Sequence, residues 1–365
     1  MEPRNRQATR RHVLDVTDDI DRERAIIAKI RTDLPADAFV NHPLRALLVI
    51  PLIGTIAAGS IMLVLLPLPW YLALFASLLI GSLYGSLMFL GHEIGHGATI
   101  RSHRLQDLLL YLTGAIFCLS PHLWRVWHHQ THHAHTNIAS RDPDHFGTLE
   151  EFYHLPPLAR FAFKFAPGSG HWLSALYLFC FFTLQSQEVL WFSSRTMPGF
   201  ERLQPKRAIL DSACLATFWI VICLLAGPRG ALFAVILPML MANFVTLSYI
   251  VTNHMLRPLT ETRDTLGTTM SVTTHKIFDI MHFHFSHHVE HHLFPAMSSV
   301  YYPLVRQSLR RHAGESYMSP PHLWALYVLF KSPRVYADAQ TLIEPYSGRK
   351  VQVAEVESLI TAGFR

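Results

Sequence analysis

The chain has 365 residues, of which 50% are hydrophobic and 16% charged, with a formal net charge of +5. Ordinary soluble domains carry roughly 25% charged residues, so this composition excludes a typical soluble globular protein, and the mild charge gives no reason to expect a nucleic-acid partner. Histidine is the second anomaly, because 24 residues of this type exceed what packing needs.

The first forty residues mix both charges (Arg4, Arg6, Arg10, Arg11, Asp18, Asp19, Asp21, Glu23) without an early apolar run. No cleavable targeting segment is expected, and residues 1–43 read as a polar cytoplasmic segment. Apolar segments follow at about Leu44–Leu66 and Trp70–Leu90, separated only by Pro67-Leu68-Pro69. Each is near the roughly 20 residues that cross about 30 Å of hydrocarbon. Leu108–Leu119 is too short to cross and suits an interfacial or buried helix. Trp172–Phe192 is long enough but is interrupted by Gln185, Ser186, Gln187 and Glu188. Ile209–Ala226 and Ala231–Val251 are joined by Gly227-Pro228-Arg229-Gly230.

Positive charge sets the orientation. The two short turns hold only Arg229, whereas the other ends hold Arg45, Arg101, Arg104, Arg125, Arg195, Lys206, Arg207, Arg257 and Arg263. The expected fold is an all-α integral membrane protein: four transmembrane helices as two hairpins entering from the cytoplasm, under a cytoplasmic helical cap. Trp172–Phe192 then lies at the interface or re-enters, since a fifth crossing would split the two halves. Residues 44–310 form the membrane domain with its cap, and 311–365 a cytoplasmic tail. Gly81-Ser-Leu-Tyr-Gly85 fits the small-xxx-small pattern of close helix packing, or chance in a glycine-tolerant membrane helix. Cys118, Cys180, Cys214 and Cys223 sit in apolar stretches without a C-x-x-C pair and read as buried reduced thiols.

Three windows, 92–96, 128–135 and 282–292, hold 13 of the 24 histidines. A lone histidine is ordinarily a hydrogen-bonded polar residue, which suffices for His12, His42, His103, His154, His171, His312 and His322. It does not explain three tight groups near membrane boundaries. In His92-Glu-Ile-Gly-His96 the i, i+4 spacing puts both imidazoles on one helix face. The second group, Trp124-Arg-Val-Trp-His128-His129-Gln-Thr-His132-His133-Ala-His135-Thr-Asn137, offers His129, His132 and His133 at i, i+3, i+4, with His128 as the competing first member. The third, His282-Phe-His284-Phe-Ser-His287-His288-Val-Glu-His291-His292-Leu-Phe-Pro295, repeats the spacing at His288, His291 and His292. Neutral imidazole suits zinc, copper, iron and nickel, and eight or more are too many for one tetrahedral zinc. Two metal ions are the economical reading.

These residues resemble the membrane fatty acid desaturase family, whose pattern is H-x(3,4)-H, then H-x(2,3)-H-H, then H-x-x-H-H. All three occur in order, and the resemblance covers roughly residues 45–310. The runs Gly91-His92-Glu-Ile-Gly-His96-Gly97 and Glu290-His291-His292-Leu293-Phe294-Pro295 agree with it as well. The resemblance implies two irons, dioxygen and two external electrons that together insert a double bond into a fatty acyl chain. It implies as ligands His92 and His96; His128 or His129 with His132 and His133; and His288, His291 and His292. His254, just after the last apolar segment, is the match for one further ligand the family often has; otherwise it caps a helix. Front-end desaturases carry Gln in the first position of the third motif, where this chain has His288. His135, His282, His284 and His287 either orient ligand rings or line the entrance as solvated residues. Asp142 and Asp144 are candidate partners for ligand imidazoles, with Glu93, Asp107, Asp279 and Glu290 behind them.

Other readings remain open from sequence alone. His92-Glu-Ile-Gly-His96 fits the H-E-x-x-H zinc metalloprotease signature, with Asp211 the acidic residue nearest to a third ligand. A membrane hydroxylase, alkane monooxygenase or carotenoid ketolase shares the metal chemistry, and product mass separates these from a desaturase. A histidine-rich metal transporter would place its ligands near the bilayer midplane, whereas these groups fall beyond the ends of the apolar segments. No haem-binding His-Pro-Gly-Gly motif or nucleotide-binding glycine loop is present. A separate ferredoxin, rubredoxin or cytochrome b5 is therefore the expected electron donor, drawn by Arg125, Arg306, Arg310 and Arg311 unless these meet lipid headgroups instead. The acyl substrate is linked to lipid, CoA or carrier protein.

Overall fold

Ile26, Ile30 and Leu34 recur at helical spacing, and they form the buried stripe of the first helix, α1 (residues 20–33), and of the residue that follows it. In this computed structural model, which describes residues 20–363, that stripe packs on Val289, Leu293, Phe294, Tyr302 and Leu309. The N-terminal segment thus braces the third histidine region. Arg4, Arg6, Arg10, Arg11, His12, Asp18 and Asp19 lie outside the described residues.

Proline supplies no amide N–H and pushes the residue before it out of the helical region. Pro67 and Pro69 accordingly separate α2 (Val49–Leu65, led in by a 3-10 turn Pro43–Leu48) from α3 (Trp70–Gly95). α4 (His103–Thr113) takes in only the first half of the apolar stretch Leu108–Leu119, and a 3-10 turn, Ala115–Phe117, follows it. The second histidine group lies on α5, a helical run from Pro121–Trp124 through a π-helical stretch Arg125–His132 to His133–His135. α6 (Tyr177–Glu188) forms the middle of the interrupted apolar segment. α7 (Pro205–Gly230) and α8 (Leu237–His254) are linked by a π-helical turn, Ala231–Ile236, with a break at Gly227 (φ 67°, ψ 174°) just before Pro228. That left-handed φ is one glycine adopts without a Cβ clash.

Four stretches are long and apolar enough to cross a membrane: Pro43–Leu65, Trp70–Gly95, Trp172–Thr196 and the broken Pro205–His254. In the first and last, only 17% of the most apolar window is buried. Water does not tolerate that much contiguous apolar surface, so the molecule is a membrane protein.

The ends of these helices sort into two levels. Arg229 donates to the Leu68 carbonyl, and Val64 sits 3.1 Å from where a Cβ on Gly230 would stand, so the two short turns meet. α3 and α8 run parallel away from them in matched register, with Ser77 Oγ donating to Phe233 O at 2.6 Å. A Cβ on Gly81 would lie 2.5 Å from Met241 Cβ, and one on Gly85 2.7 Å from Val245 Cγ1. The small-xxx-small pattern is therefore a packing device, and it carries His92, His96 and His254 to the same level. α6 crosses α8 where Thr183 N donates to Asn243 Oδ1 at 2.9 Å. Both flanks of its segment return to the histidine level: the Arg334 guanidinium lies 5.0 Å from the Tyr177 ring, and Gly199 abuts Thr131.

Around that level come α9 (His288–Leu293), α10 (Tyr302–His312) and α11 (His322–Lys331). The residues expected as a tail are folded there too. β1 (Val335–Asp338), β2 (Thr341–Ile343) and β3 (Lys350–Gln352) make a three-stranded antiparallel sheet in that order, with Tyr336 opposite Leu342 and Leu342 opposite Val351. α12 (Val353–Ala362) buries Val353, Val356 and Ile360. The strands are too short for an alternating pattern to announce them, and the fold is otherwise mostly helical. The four cysteines are unpaired as expected but not buried, with Cys214 exposed and the others half-buried.

Candidate metal centre

α3 continues straight through His92 to Gly95, with His96 as its C-cap, and Gly97 then takes φ 78°. The two histidines thus sit one turn apart on a rigid helix end. On α5 the winding is different. A π turn closes i→i+5, and the His133 N–H bonds the His128 carbonyl accordingly. Residues four and five apart then share a face, which groups His128, His132 and His133 and turns His129 aside. The third cluster follows two consecutive left-handed residues, Phe283 and His284, and α9 then presents His288, His291 and His292 at i, i+3, i+4. His254 ends α8. Asn137, at φ 57°, ties these pieces together by donating to the carbonyls of His254 (3.1 Å), Pro258 and Thr268 (3.3 Å each).

Nine of the ten histidines singled out in the sequence gather into two groups. His92, His96, His128, His133 and His291 have ligand atoms within 4.8 Å of one another, and so do His132, His254, His288 and His292. In the first group Nε2 atoms meet in series: His92 to His128 at 2.9 Å, His128 to His133 at 3.2 Å, His133 to His291 at 3.0 Å. The second repeats it: His132 to His254 at 3.3 Å, His254 to His288 at 2.6 Å, His288 to His292 at 3.1 Å. The groups adjoin, with the His133 and His292 rings stacked 4.2 Å apart. His129 is the exception. Its ring lies 4.2 Å from that of His96, pressed on Gly95, with neither ring nitrogen hydrogen-bonded.

Such convergence of nitrogen lone pairs is repulsive unless a cation lies between them. Ligands held about 2.1 Å from one ion stand about 3 Å from each other, as these nitrogens do. Burial pushes His96, His128, His133, His288, His291 and His292 well below the usual imidazole range, which keeps them neutral and able to ligate. The residues present therefore fit a pair of metal ions.

The outer ring nitrogens of several histidines are anchored. Asp142 accepts from His132 Nδ1 at 2.8 Å and from the amides of Asn137 (2.7 Å) and Asp144 (2.9 Å). Burial opposes a charge on His132, but Asp142 and Asp144 outweigh it and lift the imidazole to about 9. Burial pushes Asp144 up to about 6, while it accepts from Trp127 Nε1 (2.8 Å) and Gln185 Nε2 (2.9 Å). His291 Nδ1 meets the Tyr302 hydroxyl at 3.0 Å, and that hydroxyl donates to Met297 O at 3.3 Å. Such partners fix which nitrogen carries the proton and so which faces the metal. Trp124 stacks flat on His128 at 4.3 Å. Sequence reasoning had no signal for Tyr302 or for this role of Trp124, since both depend on which helices meet.

Other residues weighed from sequence lie elsewhere. Glu93 points away from the histidines, taking two 2.9 Å bonds from Arg45 and others from Ser298 and Ser299. Asp211 accepts from Tyr111 and Ser120, each at 2.7 Å. Neither stands as general base or third ligand, and the metalloprotease reading ends there. Glu290 accepts from Arg306 (2.9 Å) and Tyr317 (2.7 Å), and Asp279 from His284 (2.9 Å). His135 bonds the Thr131 carbonyl, His282 meets Tyr249, and His287 meets Glu290 and Asp279, so none of these orients a ligand ring. Of the four arginines named for a carrier, Arg125 is bound to Asp107 and Arg306 to Glu290, while Arg310 and Arg311 are exposed, Arg311 with Asp33 at 3.2 Å.

The fatty acid desaturase family model matches residues 68–324. The sn-1 acyl-lipid omega-3 desaturase (ferredoxin) of Synechocystis sp. is 29% identical over 127 residues, covering 35% of each chain. The chloroplastic omega-3 fatty acid desaturase of Glycine max is 30% identical over 121 residues, 32% of this chain and 25% of the relative. The chloroplastic omega-6 fatty acid desaturase of Spinacia oleracea is 24% identical over 319 residues, 81% of this chain and 66% of the relative. The chain covers under two thirds of each of these relatives. With most of its length inside the family match and the histidines paired as described, the chain belongs to the fatty acid desaturase family.

Proposed function

We propose that this protein is an oxygen-dependent desaturase that inserts a double bond into a fatty acyl chain at a di-iron centre. The observation that carries the reading is the division of nine imidazoles, drawn from four separate elements, into two adjoining sets of five and four. His92, His96, His128, His133 and His291 would hold one iron, and His132, His254, His288 and His292 the other. Bound iron with dioxygen supplies the oxidising power for C–H removal, which no side chain possesses. The chain's own part is to keep His96, His128, His133, His288, His291 and His292 neutral by burial, to fix tautomers through Asp142 and Tyr302, and to exclude water with Trp124, Phe89 and Phe285.

The membrane arrangement proposed is two hairpins, α2–α3 and α7–α8, entering from the cytoplasm, with the histidine level as a cytoplasmic cap. The basic residues that cluster at that level support this orientation. Residues 44–310 form the membrane domain with its cap, and the flanking residues brace it. Electrons come from a separate carrier. A ferredoxin is favoured, because three relatives bear that word in their names. The test is purified protein loaded with iron and supplied with oxygen and reduced ferredoxin. Two irons per chain and a product lighter by two hydrogens support the reading; a product heavier by one oxygen makes the protein a hydroxylase.

A further inference from the structure

Beyond the nine histidines of the two larger groups, one more set of metal-binding side chains converges. The ligand atoms of Asp279, His284 and His287 lie within 4.8 Å of one another. Asp279 belongs to the short helix Lys276–Met281, which exposes Ile277, Phe278 and Ile280. Six residues make fewer than two turns, too few to hold a helix by themselves, so what fixes Asp279 lies outside that helix. After it the chain reverses through Phe283 and His284, at φ 51° and 56°. Left-handed backbone is rare for phenylalanine and persists only where the surroundings impose it. The reversal lays His284 back on the helix: its N–H donates to Asp279 O at 2.8 Å, and its ring reaches the Asp279 carboxylate.

One oxygen of that carboxylate, Oδ2, lies 2.9 Å from His284 Nδ1 and 3.4 Å from His287 Nε2. Ligands held about 2.1 Å from one ion stand about 3.0–3.4 Å apart for bond angles from a right angle to the tetrahedral one, and both separations fit. The atoms turned away are already engaged. Asp279 Oδ1 accepts from Ser286 Oγ, and His287 Nδ1 lies 3.2 Å from Glu290 Oε1. With its Nδ1 proton on Glu290, a neutral His287 turns the Nε2 lone pair toward the Asp279 oxygen, acceptor against acceptor. A cation between them removes the conflict, and a carboxylate behind a ligating imidazole is the usual arrangement at metal sites. A second ring proton would remove it without a metal, and that is the alternative an experiment must exclude.

Two imidazoles and one carboxylate are a set that zinc takes, with a fourth position left for water. Iron(II) takes the same set, so access decides between them. The His284 and Asp279 side chains are 16% and 18% exposed, whereas most histidines of the two larger groups are buried. An ion at this place equilibrates with solution, and at equilibrium such ligands hold zinc more tightly than iron(II). The charges bonded to these side chains, Asp279, Glu290 and its partner Arg306, leave one negative charge for the ion to meet.

We propose that Asp279, His284 and His287 form a third metal site, taking zinc, that pins the turn delivering His288, His291 and His292. His287 is the residue just before α9, so an ion on it fixes the point at which the third motif enters the centre. The role is structural and holds whatever reaction the larger groups carry out.

The test uses full-length, iron-loaded protein without a histidine tag, dialysed against zinc and then against plain buffer. Elemental analysis should give one zinc per chain, with the iron count unchanged. X-ray absorption at the zinc edge should show nitrogen and oxygen neighbours at about 2.0–2.1 Å and no sulfur at about 2.3 Å, which excludes the cysteines. Zinc should also raise the melting temperature, since an ion bound only by the folded chain stabilises it. His284→Ala should weaken zinc binding by more than about 100-fold, because losing even a hydrogen-bonded partner of a ligand costs about 10- to 100-fold. It should also abolish the temperature shift while the iron count stays the same. Ser286→Ala, a milder change that removes only the hydroxyl bonded to Asp279, should weaken zinc about 10- to 100-fold. Zinc at trace level only, zinc taken up only as iron leaves, or zinc held as tightly by either variant as by the parent overturns the proposal.

Discussion

Asp142→Asn separates the geometry of the proposed second iron site from its mere histidine content. One oxygen of Asp142 takes the His132 ring N–H and the Asp144 amide; the other takes the Asn137 amide. Asparagine keeps the shape but has one acceptor oxygen and one NH2 group. If the oxygen stays toward His132, the NH2 confronts the Asn137 amide, donor against donor, and leaving a buried N–H unpaired costs about 1–3 kcal/mol. If the amide flips, the NH2 donates to His132 Nδ1, moves the ring proton to Nε2, and removes that nitrogen as a ligand. Either way the site formed by His132, His254, His288 and His292 weakens, by about 10- to 100-fold in metal affinity. The five histidines of the other group do not touch Asp142. The assay is iron per chain by elemental analysis after dialysis against graded chelator, with turnover in parallel. The expected result is one tightly held iron and one that is lost at lower chelator concentration. If both irons were held as in the parent protein and turnover were unchanged, the role given to Asp142 would be refuted.

Three further outcomes follow from the packing. His128→Ala should lose an iron, whereas His129→Ala should keep both, because only His128 lies in a convergent nitrogen set; the reverse pattern in elemental analysis would show that the π-helical selection is wrong. Glu93→Gln breaks a largely buried pair with Arg45 and should cost about 3–5 kcal/mol, read as a lower melting temperature in detergent with iron per folded chain unchanged. A stable but inactive Glu93→Gln protein would instead point to proton chemistry at that residue. Gly81→Val should cost about 1–3 kcal/mol by overpacking, since its Cβ would already stand 2.7 Å from the Pro238 carbonyl. Gly54→Val, where nothing lies within 4 Å, is the control; equal melting temperatures for the two would remove the α3–α8 packing argument.

The sequence by itself determined what depends on local pattern. The lengths of the apolar runs, the prolines between them and the spacing of His92 with His96 and of His288, His291 and His292 each follow from one helix's geometry. The charges near the spans favoured an orientation, and the three motifs pointed to the family. What remained open needed distances between residues far apart in the chain. The choice of His128 over His129 turned on a π-helical stretch, which an i, i+4 template cannot anticipate. The division of nine histidines into five and four mixes α3, α5, α8 and α9, so no single motif contains either set. Asp142 found its histidine while Glu93, lying between two of them in sequence, pointed to Arg45, because a helix turns a residue's immediate neighbours onto other faces. The small sheet at the C-terminus escaped for a different reason. Strands of three or four residues carry too little periodicity to read, and they hold only because Leu342 and Tyr336 find a hydrophobic core that the rest of the chain supplies.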